Sequence, residues 1–86
     1  MKFEVVHYDT WGNEKDGWNV NNSFTIHEAE IQKTEEDKVI KYCLKEFFPP
    51  KVTTEEDLTG TKTRVIYVDL PNGKPFGQIT IFKERR

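Results

Sequence analysis

The chain has little cysteine and no long apolar run. Cys43 is the only cysteine among 86 residues, which excludes an internal disulfide and leaves packing to stabilise the fold. No segment approaches the roughly 18 consecutive apolar residues of a membrane span. Near the start, Glu4 and His7 interrupt any apolar run of the kind found in signal peptides. These features predict a cytoplasmic protein that does not enter a membrane.

A surplus of basic residues is also missing. The net charge is −2 and the isoelectric point is about 5.7, which argues against a general nucleic-acid binder. The charge is unevenly distributed: seven Lys oppose thirteen acids up to Thr59, whereas six Lys and Arg oppose two acids from Gly60 onward. The acidic front and basic end are most simply read as neutralising each other within one domain covering residues 1–86.

Motifs for catalysis and metal binding are absent as well. The sequence contains no phosphate-binding glycine loop and no Ser/His/Asp arrangement. His7 and His27 lack the spacing of metal ligands, and Cys43 lies among apolar residues without an activating neighbour. We therefore expect no enzyme activity, no metal and no cofactor.

The first third of the chain has the pattern of a β-hairpin. Residues Lys2 to Thr10 are rich in β-branched and aromatic types, and a second extended stretch begins near Trp18. The polar loop between them is bracketed by Gly12 and Gly17. The second strand extends toward Ile31, although residues 27–30 also fit the start of a helix.

One amphipathic helix follows. Thr34 with Asp37 three residues later fits a capping pattern, and Pro49-Pro50 ends the segment. An apolar stripe at helical spacing comprises Val39, Ile40, Cys43, Leu44 and Phe47. Residues 54–57 repeat the capping pattern, but Gly60 follows so soon that we expect a loop or a single helical turn there.

Two further strands are predicted, from Thr61 to Leu70 and from Phe76 to Lys83. The segment between them, with Asn72-Gly73 at its centre, has the composition of a turn. The predicted fold is therefore α+β: a small antiparallel sheet of about four strands, in the order strand-strand-helix-strand-strand, with one amphipathic helix packed on one face.

Aromatic and amide side chains concentrate around the hairpin loop. Trp and Tyr are the residues most enriched at binding hot spots, so this hairpin is the candidate partner-binding surface. Its candidate residues are Tyr8, Trp11, Asn13, Asp16, Trp18 and Asn21. Two tryptophans near one loop equally suit the edge of a small core, and the sequence leaves open whether Trp11 and Trp18 are buried or exposed.

The basic end of the chain provides an alternative function, the binding of nucleic acid. Basic side chains would hold phosphates and a tyrosine would stack on a base. The residues in this alternative are Lys62, Arg64, Tyr67, Lys83, Arg85 and Arg86. Exposed strand edges also make a homodimer plausible.

The run from Tyr8 to Ser23 resembles a segment of short proteins from bacteriophages and related mobile elements, with the pattern W-G-N-x-x-D-G-aromatic-x-V-N-[ND]-S. The resemblance covers the first quarter of the chain and carries over no catalytic residue. It implies a small accessory protein of phage or mobile-element type. Together with the aromatic hairpin, it leads us to expect a non-enzymatic protein that binds a host or phage protein.

Overall fold

Five antiparallel strands and one short helix form the computed structural model, which describes residues 1–58, 60 and 62–83. The strands lie side by side in the order β2-β1-β5-β4-β3. The elements, in chain order, are β1 (Lys2–Asn13), β2 (Gly17–Glu30), α1 (Glu36–Phe47), β3 (Val52–Asp57), β4 (Lys62–Asp69) and β5 (Pro75–Phe82). The long strands β1 and β2 pair as the predicted hairpin.

The predicted fold of four strands and one helix is wrong, because the sheet has a fifth strand. Strand β3 occupies residues 52–57, where we expected a loop or one helical turn, and strands account for 59% of the described residues. It pairs with β4 from Val52 opposite Asp69 to Asp57 opposite Arg64. The pairing with β4 determines the conformation of this segment, although its local sequence fits the start of a helix. Contacts with neighbouring strands commonly outweigh the intrinsic preference of a strand segment. The helix is short, with 12 residues, and covers only part of one sheet face.

Residues 27–30 belong to strand β2 and do not start a helix. They pair with the beginning of β1, where Lys2 lies opposite Glu30. Just beyond, the backbone amide of Ile31 donates to the Met1 carbonyl at 2.8 Å. Two irregularities interrupt the pairing, because Ile26 and Asn21 are extra residues of β2 without an opposite residue in β1. Such bulges bend and twist a strand.

Helix α1 begins at Glu36, two residues after Thr34, and its N-cap is Glu35, so the predicted cap at Thr34 is wrong. A short 3₁₀ turn over Lys33–Glu35 precedes α1. In this turn the backbone amide of Gln32 donates to the Glu35 carboxylate at 3.0 Å. Glu36 and Asp37 occupy the first turn of α1, where negative charge is favourable. Among the described residues, no helix is long and apolar enough to cross a membrane.

The core lies between α1 and the middle of the sheet. Ile40 and Cys43 of the helix and Phe48 just after it are buried against apolar side chains of β1, β4 and β5. Those sheet residues are Phe3, Val5, Ile66, Val68, Ile79 and Ile81. Since cross-strand partners share a face, we call this the helix side of the sheet and the other the open side.

Gly77 of β5 lies beneath Phe48 at the centre of the core. A Cβ atom at this position would overlap the Val6 carbonyl oxygen and come within 2.9 Å of the Phe48 ring. The Phe48 side chain is 1% exposed, so its ring has little room to move away. Glycine at this position therefore allows the helix end to approach the sheet backbone closely.

Replacement of Gly77 by alanine tests this packing. We expect Gly77→Ala to lower the free energy of unfolding by about 3 kcal/mol, because overpacking a filled core forces the backbone or the ring to shift. Urea unfolding gives the measurement. Gly60→Ala is the matched control, since a Cβ there meets no atom of the described residues within 4 Å, and we expect it to change stability by less than about 0.5 kcal/mol. Equal effects of the two changes would contradict the proposed role of Gly77.

Arg64 of β4 connects the sheet to the start of the helix. Its guanidinium donates two hydrogen bonds to the Glu55 carboxylate, from Nε to Oε1 and from Nη2 to Oε2, the latter at 3.0 Å. Nη1 also donates to Asp37 Oδ1 at 2.7 Å and lies 3.7 Å from Glu36 Oε2. The bond from Arg64 lowers the pKa of Glu55 below its ordinary 4.5. This network links β3, β4 and α1.

The network makes part of the stability depend on pH. A carboxylate with a lowered pKa in the folded state stabilises above its unfolded pKa, and this contribution is lost as the pH falls through the folded value. Because the pair is partly exposed, we expect Arg64→Gln to cost about 1 kcal/mol at neutral pH. The cost should shrink as the pH falls below the ordinary value of 4.5. Urea unfolding of both proteins across this range gives the measurement.

Lys38→Gln serves as the control for this experiment, because it removes the same charge from an exposed residue of α1. We expect its smaller effect on stability to stay constant through the acid range. A cost of Arg64→Gln that did not change with pH would show that the aliphatic part of Arg64, and not its bond to Glu55, carries the effect.

Candidate functional site

The hairpin of β1 and β2 extends beyond the rest of the sheet. Strand β1 pairs with β5 only from Phe3 to His7, and the rest of β1 pairs with β2 alone. We call residues 8–24, including the turn between the two strands, the arm. The arm helps to make the molecule elongated, with principal extents of 44 × 25 × 21 Å. A projecting two-stranded ribbon presents side chains on both of its faces.

The tip of the arm is a tightly bonded turn. The Asn13 side chain accepts a hydrogen bond from the Asp16 amide at 2.7 Å and donates one to the Asp16 carboxylate at 3.0 Å. Gly12 and Gly17 have φ angles of 109° and 92°, which side chains rarely adopt. The candidate residues Asn13 and Asp16 thus bond to each other and shape the turn.

Side chains on the open side of the arm contact the β4–β5 turn and β5. The Thr10 hydroxyl donates to the Pro75 carbonyl at 2.8 Å. The partly buried Trp18 lies against the β4–β5 turn, where a Cβ on Gly73 would be 3.9 Å from the indole nitrogen. At the base of the arm, the Tyr8 hydroxyl donates to Gln78 Oε1 at 2.7 Å. Burial raises the pKa of the Tyr8 hydroxyl to about 12, with smaller contributions from the negative charges of Tyr67 and Asp69 nearby. These contacts hold the arm in position.

The helix side of the arm faces solvent. The Trp11 side chain is 60% exposed and Phe24, at the end of the arm, is 51% exposed. Between them lie the polar residues Asp9, Asn19 and Asn22, which the strand register places on the same face. We call these five residues the arm face. An exposed tryptophan surrounded by hydrogen-bonding groups is typical of a binding surface.

The structure therefore divides the hairpin residues that the sequence grouped together. Trp11 is exposed, whereas Trp18 and Tyr8 pack on the opposite side of the ribbon. Asn21 is the extra residue of a bulge. Phe24 and Asp9 of the arm face were not among the partner-binding residues predicted from the sequence. Simple alternation along β2 does not find Phe24, because the bulge at Asn21 moves every following residue to the other face.

His7 lies at the base of the arm inside an aromatic cluster. Its ring centroid lies 4.9 Å from that of Phe76, 5.3 Å from Phe48 and 6.2 Å from Phe24. The pKa of His7 is lowered, mainly because the ring is partly buried. A hydrogen bond with the Phe47 backbone raises this pKa, and the charge of Lys51 lowers it, so that the net shift is downward. The Nε2 atom has no hydrogen-bond partner within the described residues. The neutral form of the His7 ring is therefore favoured. Through its contact with Phe48, the ring joins the helix end to β1.

The Cys, His, Asp and Glu side chains of the described residues form no metal-binding group, and Cys43 is not activated as a nucleophile. Burial raises the pKa of the Cys43 thiol to about 11, so the thiol stays protonated at neutral pH. Within residues 1–58, 60 and 62–83, no three His, Cys, Asp or Glu side chains lie close enough together to hold a metal ion.

The residues of the nucleic-acid alternative are not gathered on one surface. Arg64 lies on the helix side and is bonded to Glu55 and Asp37. Tyr67 lies on the open side, opposite Gln78 in the register, and Lys62 pairs with Phe82 near the other end of β4. Lys83 is exposed just after β5. The remaining two residues, Arg85 and Arg86, lie outside the described part of the chain.

Comparison with known proteins adds no relative. No protein-family model matches the chain, and neither the curated proteins nor the solved structures include one that is significantly similar to it. The arm face is therefore interpreted from its own geometry and chemistry.

Proposed function

We propose that this chain is a small non-enzymatic accessory protein, of the phage or mobile-element type that its hairpin segment resembles, and that it binds a host or phage protein through the arm face. The exposed Trp11 indole is the observation that carries the proposal. Burying a tryptophan in a partner's pocket removes a large apolar surface from water, and such residues dominate the energy of many interfaces.

The geometry of the arm supports this proposal in two ways. First, Thr10 and Trp18 fix the arm to the β4–β5 turn, so little ordering is required when a partner binds. Second, the arm carries three acids, Asp9, Glu14 and Asp16, against the single base Lys15. The complementary partner surface is an apolar pocket surrounded by basic side chains.

Nucleic-acid binding has weaker support. The Arg64 guanidinium is occupied by two carboxylates, which leaves it unavailable to phosphates without breaking the network. The Tyr67 ring lies on the opposite side of the sheet from Arg64.

Paired alanine substitutions on the two faces of the arm test the proposal. We expect Trp11→Ala to weaken binding of the partner by about 30-fold, corresponding to the roughly 2 kcal/mol of a hot-spot residue. The thermal midpoint should change by no more than a few degrees, since the removed side chain is mostly exposed. Affinity capture from host cells identifies the partner, and titration calorimetry with the purified partner measures the affinity.

Two further variants serve as controls. Val20→Ala removes another exposed apolar side chain, 46% exposed, from the opposite face of the arm, and should leave the affinity unchanged. Trp18→Ala should lower the thermal midpoint, because it removes the contact with the β4–β5 turn. If Trp11→Ala bound the partner as tightly as the wild type, the arm face would not be the interface.

A further inference from the structure

A groove separates the second half of α1 from the edge strand β3. It has a volume of about 400 Å³ and opens to solvent on the helix side of the sheet. Leu44, Pro49 and Pro50 provide the accessible apolar lining, and Thr53 of β3 forms the opposite wall. The groove exists because α1 packs over the middle of the sheet and leaves the last strand uncovered.

Three lysines surround this groove, and none of the described residues that line it is acidic. Lys41 and Lys45 are one helical turn apart on α1, and Lys51 follows the Pro49-Pro50 segment. The Lys51 ammonium lies 4.4 Å from the centroid of the Phe76 ring, which holds it at the end of the groove. Within the described residues, none of the three makes an ion pair. This positive region stands out in a chain with a net charge of −2.

The nearest acid on the same side of β3 does not neutralise these lysines. Side chains of Thr53, Glu55 and Asp57 alternate onto the helix side. The Glu55 carboxylate is bonded to Arg64. The positive charge therefore faces the beginning of β3, around Val52 to Thr54, whereas the end of the strand is acidic.

Strand β3 also offers a free backbone edge. It is the last strand of the sheet and pairs only with β4 within the described chain. Its pairing with β4 contains no bulge, so its backbone groups on the other edge follow a regular spacing. A peptide that adds to such an edge forms main-chain hydrogen bonds, and every second side chain points into the groove.

We propose that this groove binds an extended acidic segment of another protein, which adds as a sixth strand beside the first half of β3. One large apolar side chain of the segment contacts Leu44 and the two prolines that follow α1, and flanking carboxylates bind the three lysines. The charge complementarity selects the occupant: the lysines attract acids at the beginning of β3, and Asp57 repels them at its end. This site is separate from the arm face.

A synthetic peptide provides the probe. The acetylated and amidated sequence Thr-Glu-Thr-Leu-Thr-Glu-Thr reads the same in both directions, so it presents Glu, Leu and Glu to the groove in a parallel or an antiparallel arrangement. In a titration followed by NMR of the labelled full chain, we expect the amide signals of Val52 to Thr54 to shift. The same peptide with Gln in place of Glu should bind at least about tenfold more weakly.

Substitutions in the protein test the lysines. The double variant Lys41→Gln, Lys45→Gln changes two exposed side chains and should lower the affinity for the peptide by at least about tenfold. Lys33→Gln, together with Lys15→Gln, removes the same charge elsewhere and should change the affinity by less than about twofold. Trp11→Ala should bind the peptide normally, which separates this proposal from the proposed function of the arm.

The backbone part of the proposal has its own test. Methylation of every amide nitrogen of the peptide removes its main-chain donors in both directions of binding, whereas methylation of alternate nitrogens leaves the donors for one direction. We expect the fully methylated peptide not to bind and each alternately methylated peptide to bind. A second readout is His7, whose pKa is lowered mainly by burial and further by the charge of Lys51; a carboxylate bound to Lys51 should remove part of this lowering.

Several results would overturn the proposal. These are no shift of the β3 amides at millimolar peptide, equal binding of the Glu and Gln peptides, or equal binding of the fully methylated and the unmethylated peptide. The same shifts with inorganic phosphate alone would indicate a simple anion site. A dimer in light scattering that the double lysine variant dissociates would assign the groove to a second copy of this chain.

Discussion

The contact between the Phe48 ring and the backbone of Gly77 determines where the helix lies. Phe48 follows directly after α1, and its ring also contacts His7 and Phe76, so the helix end is joined to both central strands β1 and β5. A side chain at position 77 would hold the helix further from the sheet. Because the helix is fixed over the centre, the β3 side of the sheet is left uncovered, and the groove forms there. The same aromatic cluster supports the base of the arm through His7.

The arm and the groove differ in charge and in construction. The arm is acidic, rigidly supported on one face and exposed through Trp11 on the other. The groove is basic and combines a helix with a free strand edge. The two sites lie in different parts of the fold, the arm on β1 and β2 and the groove beside β3.

Part of this structure follows from local sequence. Glycines on both sides of a polar loop predicted the first hairpin, and the apolar stripe through Ile40 and Cys43 predicted the buried face of the helix. The start of the helix was misplaced because the Gln32 and Glu35 pair, and not Thr34, completes the first turn. Local patterns decide such features when the interacting residues are near each other in the chain.

Other features depend on contacts between distant residues. Strand β3 exists because it pairs with β4 and because Arg64 binds Glu55, whereas its own sequence resembles a helix start. Which tryptophan is exposed depends on the contact of Trp18 with the turn at Gly73 and on the bulge at Asn21. Neither contact has a signature within its own segment, so the sequence left the choice open.

The bulges in β2 have a consequence for assembly. For sheets to pair edge to edge into a fibre, each copy must offer two edges that can pair with another strand. At Asn21 and Ile26, β2 breaks the regular spacing of its backbone groups, so its outer edge is a poor template for another chain. Strand β3 has a regular edge, but an added copy would in turn present only its own bulged β2. We therefore expect pairing through the sheet edges to stop at two copies, because the bulged edges of β2 would be the only ones left on the described part of each chain.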